Sequence, residues 1–178
     1  FISLTSRISL AEEQYRVFNE NGLECHFYQN IEAREVEENK SIVCQIDSIM
    51  KLSRGLYFGF YGDFVIYLDE FNSLVEYLIT SPTLENKRIE VFYALKELLT
   101  TAKQIIMTDA DISDTSLKIL KIFGIEYEYI RNKYSHNNGV PAEEVFSRVH
   151  FLNKIKKEKR FICCCDSKTE AEIIFNEI

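Results

Sequence analysis

Residues that interrupt regular structure are scarce here: 2 prolines and 6 glycines in 178 residues. That scarcity excludes a long flexible or low-complexity segment. No apolar run approaches the roughly 18 residues of a membrane-crossing helix, and no basic stretch leads into an apolar one. Neither a membrane span nor a signal peptide is therefore visible. Cysteines at CxxC spacing are missing too; the five are Cys25, Cys44 and the triplet Cys163-Cys164-Cys165. Alternate members of a triplet in a strand face opposite sides, and His26, His136 and His150 lie outside metal-ligand spacing with any cysteine. Buried, reduced thiols in an intracellular compartment are the expectation. Positive charge is short as well, with 21 Lys and Arg against 28 Asp and Glu, a net −7 and a pI near 5.1. That balance excludes bulk attraction to nucleic acid and leaves only local contacts. Finally, no GxxxxGK[ST] loop occurs, so these residues carry no phosphate cradle of their own.

What is present suffices for a core: 46% of the residues are hydrophobic and 13% are aromatic. The length fits one domain, or one domain and part of another. The chain starts at Phe1 within an apolar stretch and without an initiator Met, as expected of a piece of something longer. Acids concentrate at Glu32, Glu35, Glu37 and Glu38. The basic run Lys154, Lys156, Lys157, Lys159, Arg160 reads as a solvated helix end, where cations are favoured.

Periodicity predicts strands at 1–5, 24–28, 41–46, 64–68, 104–108, 125–130 and 160–165. Helices are predicted at 10–21, 47–52, 71–79, 86–102, 113–123, 142–157 and 168–177. In the first helix Leu10, Tyr15, Val17 and Phe18 supply the apolar positions, and Asn21-Gly22 closes it. An acid-rich loop covers 30–40 and a glycine-rich turn 55–62. Only 132–141 (NKYSHNNGVP) reads as a linker. Strands alternating with helices argue for an α/β fold with a mostly parallel sheet and βαβ connections.

The most informative segment is Phe64-Val65-Ile66-Tyr67-Leu68-Asp69-Glu70. Five apolar residues running into two acids suit a strand buried on both faces of a parallel sheet. Open α/β sheets hold ligands at the C-terminal ends of their strands. In P-loop NTPases an acid there holds Mg²⁺, beside a group that orients the attacking water. The plainer alternative is a core strand ending in two solvated acids.

Several segments then fall into a familiar order. Ser3-Leu4-Thr5-Ser6-Arg7-Ile8-Ser9-Leu10-Ala11 is similar to motif Ia of the viral-type replication origin-binding helicases, the herpesvirus kind and relatives in large DNA viruses. Ile42-Val43-Cys44-Gln45-Ile46-Asp47-Ser48 resembles the segment that follows in that family. Asp69-Glu70-Phe71-Asn72-Ser73-Leu74 resembles its Walker B box, and Ser81-Pro82-Thr83 a segment downstream. Thr108-Asp109-Ala110-Asp111 stands where motif III belongs, and Phe161-Ile162-Cys163-Cys164-Cys165-Asp166-Ser167-Lys168 where motif IV opens a second lobe. The set spans nearly the whole chain in order.

This resemblance implies a RecA-like P-loop NTPase sheet with flanking helices in a superfamily 2 DExx-box helicase that opens DNA during replication, with ATP and Mg²⁺ as cofactors. Residues 1–131 would form lobe 1, 132–141 the linker and 142–178 the start of lobe 2. Single-stranded or forked DNA is the implied partner, other replication proteins are further partners, and the compartment is intracellular, host cytoplasm or nucleus. Asp69 takes Mg²⁺ and Glu70 the hydrolytic water; Asp109 and Asp111 sense the nucleotide. Thr5, Ser6, Arg7, Gln45, Asp47, Ser48, Ser167 and Lys168 contact nucleic acid. The box reads Asp-Glu-Phe-Asn rather than Asp-Glu-Ala-Asp, and motif III Thr-Asp-Ala-Asp rather than Ser-Ala-Thr. The phosphate loop would lie roughly 20–30 residues before Phe1, the length of a βα unit. Motifs V and VI would lie past Ile178, so the piece alone should not hydrolyse ATP.

Each role has a local alternative. Ser6 or Ser9 suits an N-cap with Glu12 or Glu13 in the first turn, Asp47 or Ser48 a cap, Asp109 or Asp111 a cap of the next helix, and Ser167 another. Tyr57, Phe58, Phe60 and Tyr61 suit base stacking or, more simply, packing under the glycine-rich turn. The competing function is a non-catalytic RecA-like module that binds nucleic acid or protein.

Overall fold

The computed structural model describes residues 1–32, 35–36, 41–55, 60–132, 147–157 and 168–177. Part of the acid-rich loop, most of the glycine-rich turn and of the linker, the 160–165 strand and Ser167 lie outside these residues. The chain forms two compact units, Phe1–Tyr129 and Ile130–Ile178.

In the first unit the elements run β1 (Ile2–Thr5), α1 (Ile8–Glu20), β2 (His26–Phe27), β3 (Ile42–Gln45), α2 (Ile49–Gly55), β4 (Val65–Asp69), α3 (Phe71–Thr80), α4 (Arg88–Thr101), β5 (Gln104–Thr108) and α5 (Asp114–Phe123). All five strands are parallel, in the order β2-β3-β1-β4-β5. Leu4 lies between Cys44 and Leu68, and Leu68 faces Met107. That row, with Ile2, Ile42 and Ile66 one step earlier, points to one face; all but the β5 residues are completely buried. Each such side chain contributes about 1.5–3 kcal/mol.

The two faces are covered unequally. Helices α2, α3, α4 and α5 pack with one another on one face, where Phe92 meets Phe123 at 5.1 Å between ring centroids. Helix α1 contacts β1, β2 and β3 on the other. The reversal follows from right-handed crossovers, because the chain moves one way from β1 to β2 and the opposite way from β3 to β4. On the α1 side Ile106 of β5 is 42% exposed and Thr108 is exposed. Among the described residues nothing pairs with the outer edge of β5. An open groove of about 290 Å³ runs beside α1, lined by Leu10, Gln14, Val17, Phe18, Tyr67 and Asp69.

Two expectations are corrected. Residues 125–130 join no ladder among the described residues. Gly124, left-handed at φ 74°, ends α5, and the Ile125 N–H donates to the Leu120 carbonyl at 3.0 Å. Beyond it Tyr127, Tyr129 and Ile130 are exposed. The alternation is strand-like, yet a strand forms only against a neighbour's free edge. The buried positions of α1 are also not those expected: Ala11 and Gln14 face inward, while Val17 stays 36% exposed.

The second unit contains α6 (Arg148–Ile155) and α7 (Lys168–Glu177). Ser147 caps α6 by accepting from the His150 N–H, and Arg148 pairs with Glu177 at 3.5 Å.

Candidate functional site

Because every strand runs the same way, Thr5, Gln45, Asp69 and Thr108 come to one rim. Thr5 is in register with Gln45 and Asp69 with Thr108. Asp69 ends β4, which lies between β1 and β5. Its Oδ1 accepts from the Thr108 hydroxyl at 2.8 Å and from the Glu70 N–H at 3.1 Å. Its Oδ2 accepts from Gln14 Nε2 at 3.0 Å. Behind these donors stand two others: Tyr67 Oη lies 3.1 Å from Thr108 Oγ1, and buried Ser3 donates to Gln14 Oε1 at 2.5 Å. The carboxylate is thus fixed in direction by groups from three strands and α1.

Glu70 follows with φ 49° and ψ 55°, the only non-glycine residue at positive φ among the described ones. This left-handed turn ends β4 and starts α3, since the Glu70 carbonyl accepts the Leu74 N–H at 3.0 Å. It leaves the Glu70 side chain exposed at the rim. Non-glycine residues in this region cost roughly 1–2 kcal/mol, and such strain collects at functional positions.

Asp109 and Asp111 are tied to the same corner through Asn72. Asp109 Oδ2 accepts the Asn72 N–H at 2.7 Å, so it caps α3. The cap on α5 is Ser113, whose hydroxyl accepts from the Ser116 N–H. Asn72 Oδ1 accepts from the Ser113 N–H at 2.9 Å and from the Ser116 hydroxyl, while its Nδ2 donates to the Asp111 carbonyl. One side chain therefore binds the 109–113 loop to the residue pair it follows.

The remaining candidates sit further along the rim. Helix α1 begins after Arg7 with no side-chain cap; Thr5 Oγ1 instead donates to the Arg7 carbonyl at 3.0 Å. The Ser6 hydroxyl is buried with no partner among the described residues, and neither Ser6 nor Ser9 acts as the cap expected of them. Arg7 is exposed. Gln45 Nε2 donates to the Ser6 carbonyl at 3.4 Å, joining the tips of β3 and β1. Asp47 and Ser48 lie in a 3-10 turn before α2, and Asp47 Oδ2 accepts from Tyr77 Oη at 2.9 Å rather than capping. Lys168 starts α7 in the second unit.

Sequence reasoning missed Gln14, Ser3 and the role of Asn72. A signal existed for Gln14: a polar residue three after Ala11 and four before Phe18, on the inward stripe of α1. For Asn72 none existed, because its partners lie 37 to 44 residues away.

Asp69 could serve a hard cation. Mg²⁺ is typically held by one or two carboxylates together with substrate phosphates and water. One oriented carboxylate at a strand tip, flanked by a hydroxyl, fits that donor set. Burial pushes the Cys25 and Cys44 thiols above their ordinary range, which suits inert core positions.

A parallel sheet with an acid pair at its C-terminal rim, helices on both faces and hydroxyls at the neighbouring tips is a RecA-like α/β architecture. Residues 2–158 match the family described as origin of replication binding protein, and the chain belongs to that herpesvirus-type family. The family places it in replication, with DNA as the class of partner. No curated protein and no solved structure matches the chain. Among the described residues no helix is long and apolar enough to cross a membrane.

Proposed function

We propose that the Phe1–Tyr129 unit is part of the first motor lobe of an ATP-dependent helicase that opens DNA at a replication origin. The observation carrying this reading is Asp69, held at the rim by Thr108 and Gln14 with Glu70 beside it. Among the described residues the outer edge of β5 and its α1 side, at Ile106 and Thr108, are uncovered, which supports it, since parallel sheets are ordinarily covered on both faces. They leave room for one more strand and helix, the unit that carries a phosphate loop in such folds.

When bound, Mg-ATP supplies the electrophilic phosphorus and a cation that offsets charge in the transition state. Asp69 would hold that cation, and the hydrogen bonds from Thr108, Glu70 and Gln14 fix the direction of its oxygens. Glu70, exposed at the rim, orients the hydrolytic water and receives its proton. Asn72 keeps Asp109 and Asp111 against this pair, so the β5 tip senses what the acids bind. Arg7, Gln45, Asp47 and Ser48 face the DNA backbone from the tips of β1 and β3, while Thr5 and Ser6, whose side chains are buried, shape the β1 tip beneath it. Ser167 and Lys168 contact it from a second lobe that starts in the Ile130–Ile178 unit.

The test is Glu70→Gln in the full-length protein. Turnover of ATP should fall by orders of magnitude while nucleotide binding persists. Near-normal turnover removes Glu70 from this role.

A further inference from the structure

Three half-buried cations of this unit are anchored to backbone carbonyls. Lys87 Nζ donates to the Asp47 carbonyl at 2.9 Å, Lys51 Nζ to the Tyr28 carbonyl at 2.6 Å, and an Arg88 Nη to the Ser81 carbonyl at 2.6 Å. None of them forms an ion pair among the described residues. A carbonyl fixes an ammonium group in place without neutralising it, so most of the charge stays available to an anion. Each lysine retains two further donors, and Arg88 retains four.

Their positions follow from the sheet. Tyr28 comes directly after β2 and Asp47 two residues after β3, while Arg7 follows the tip of β1. These strands are consecutive neighbours, each about 4.8 Å from the next. Arg7, Lys87 and Lys51 therefore mark three successive tips along one rim. The buried side-chain polar atoms that have no partner among the described residues are Ser6 Oγ just past β1, Asp47 Oδ1 just past β3, and Nε of Arg88, the residue after Lys87. Asp47 is the acid facing this group, and its other oxygen is occupied by Tyr77. Buried polar atoms left unpaired call for a bound water, ion or ligand.

We propose that Lys51 and Lys87 are phosphate contacts that carry a single strand of DNA across the tips of β1, β3 and β2, beyond Arg7. The proposal rests on the DNA-binding part of the function above, and not on ATP hydrolysis. It also explains how an acidic chain engages a polyanion: the cations that matter are placed on a rim, not spread over the surface.

The experiment measures fluorescence anisotropy of a labelled oligothymidylate with the full chain over a salt series. Lys51→Gln and Lys87→Gln keep a polar N–H donor but remove the charge. Each should lower the slope of log affinity against log salt by about 0.7, and the double variant by about 1.4. Lys121→Gln, the same charge change at the exposed end of α5, should leave the slope at the parent value. Lys87→Arg should retain the parent slope, separating charge from folding. Unchanged slopes in both glutamine variants, with the parent still binding, overturn this site and leave the wider reading standing. A parent chain that does not bind the oligonucleotide overturns this site and the DNA contacts of the proposed function together, while the Glu70→Gln assay still judges the ATPase.

Discussion

Gln14 Nε2 stands 3.0 Å from Asp69 Oδ2 while Gln14 Oε1 accepts from Ser3, so one α1 side chain connects the interior of β1 to the acid that ends β4. Ser3 is completely buried, which makes this bond costly to lose. Gln14→Leu should destabilise the protein by about 1–3 kcal/mol, because a buried hydroxyl and a carboxylate oxygen each lose their partner. Adding Ser3→Ala should recover part of that loss. Gln14→Glu places a second carboxylate against Asp69, so this variant should be less stable than the parent at neutral pH, and the difference should shrink in acid, where protonation ends the repulsion. Urea denaturation across pH checks both the size and the sign.

Asn72 is the second hub. Its loss leaves the Ser113 N–H and the buried Ser116 hydroxyl without their acceptor, and the Asp111 carbonyl without its donor. Asn72→Ala should cost about 1–3 kcal/mol. A double-mutant cycle with Ser116→Ala should return a coupling of about 0.5–3 kcal/mol, since the two side chains share one bond. Independent, additive losses would show that the two do not act together. In the proposed enzyme Asn72→Ala should lower the maximal rate of ATP turnover more than it weakens ATP binding.

Much of this architecture can be read from one sequence. The 104–108 strand coincides with β5, and the Phe64 to Glu70 run yields β4 with its acids at the rim. Both are driven by local hydrophobic pattern. Two kinds of feature escape such reading. Residues 125–130 alternate like a strand, but pairing depends on a neighbouring edge, which local pattern does not encode. The network around Asp69 is non-local: Gln14 and Asp69 are 55 residues apart, and only the order β1-β4-β5 brings Thr108 to the acid. The local pattern put the acids at a strand end, where β4 has them, whereas their supporting shell emerged only from the folded arrangement.

Glu70 offers a test of stored strain. Its left-handed backbone suits glycine, so Glu70→Gly relieves roughly 1–2 kcal/mol of steric cost against about 0.5–1 kcal/mol of added chain entropy. Thermal stability should stay level or rise slightly. Glu70→Val, branched at Cβ, should be clearly less stable than either. A glycine variant less stable than the valine variant would mean that the turn is not held at positive φ in solution. In the proposed enzyme the glycine variant should be the more stable protein and the inactive one.

Cys44 provides a pH signature of the core. It is fully buried on β3, and desolvation pushes its thiol far above the usual range, with Lys51 opposing and Asp47 adding to the shift. The folded pKa is raised, so the contribution to stability is complete below the unfolded value of about 8.5 and is lost as pH climbs beyond it. That loss should approach about 1.4 kcal/mol per pH unit for this group. Cys25 shares the direction more weakly, because the bond from Asn19 partly offsets its burial. At pH values below the thiol's unfolded pKa of about 8.5, Cys44→Ala should lower stability by a constant amount, through lost packing and the lost contact of Sγ with the Gln45 carbonyl. The decline between pH 8 and 10 should flatten in this variant, a range set by the thiol's unfolded pKa of about 8.5. The change of slope, not the offset, identifies the thiol; a parallel curve would place the alkaline transition elsewhere in the chain.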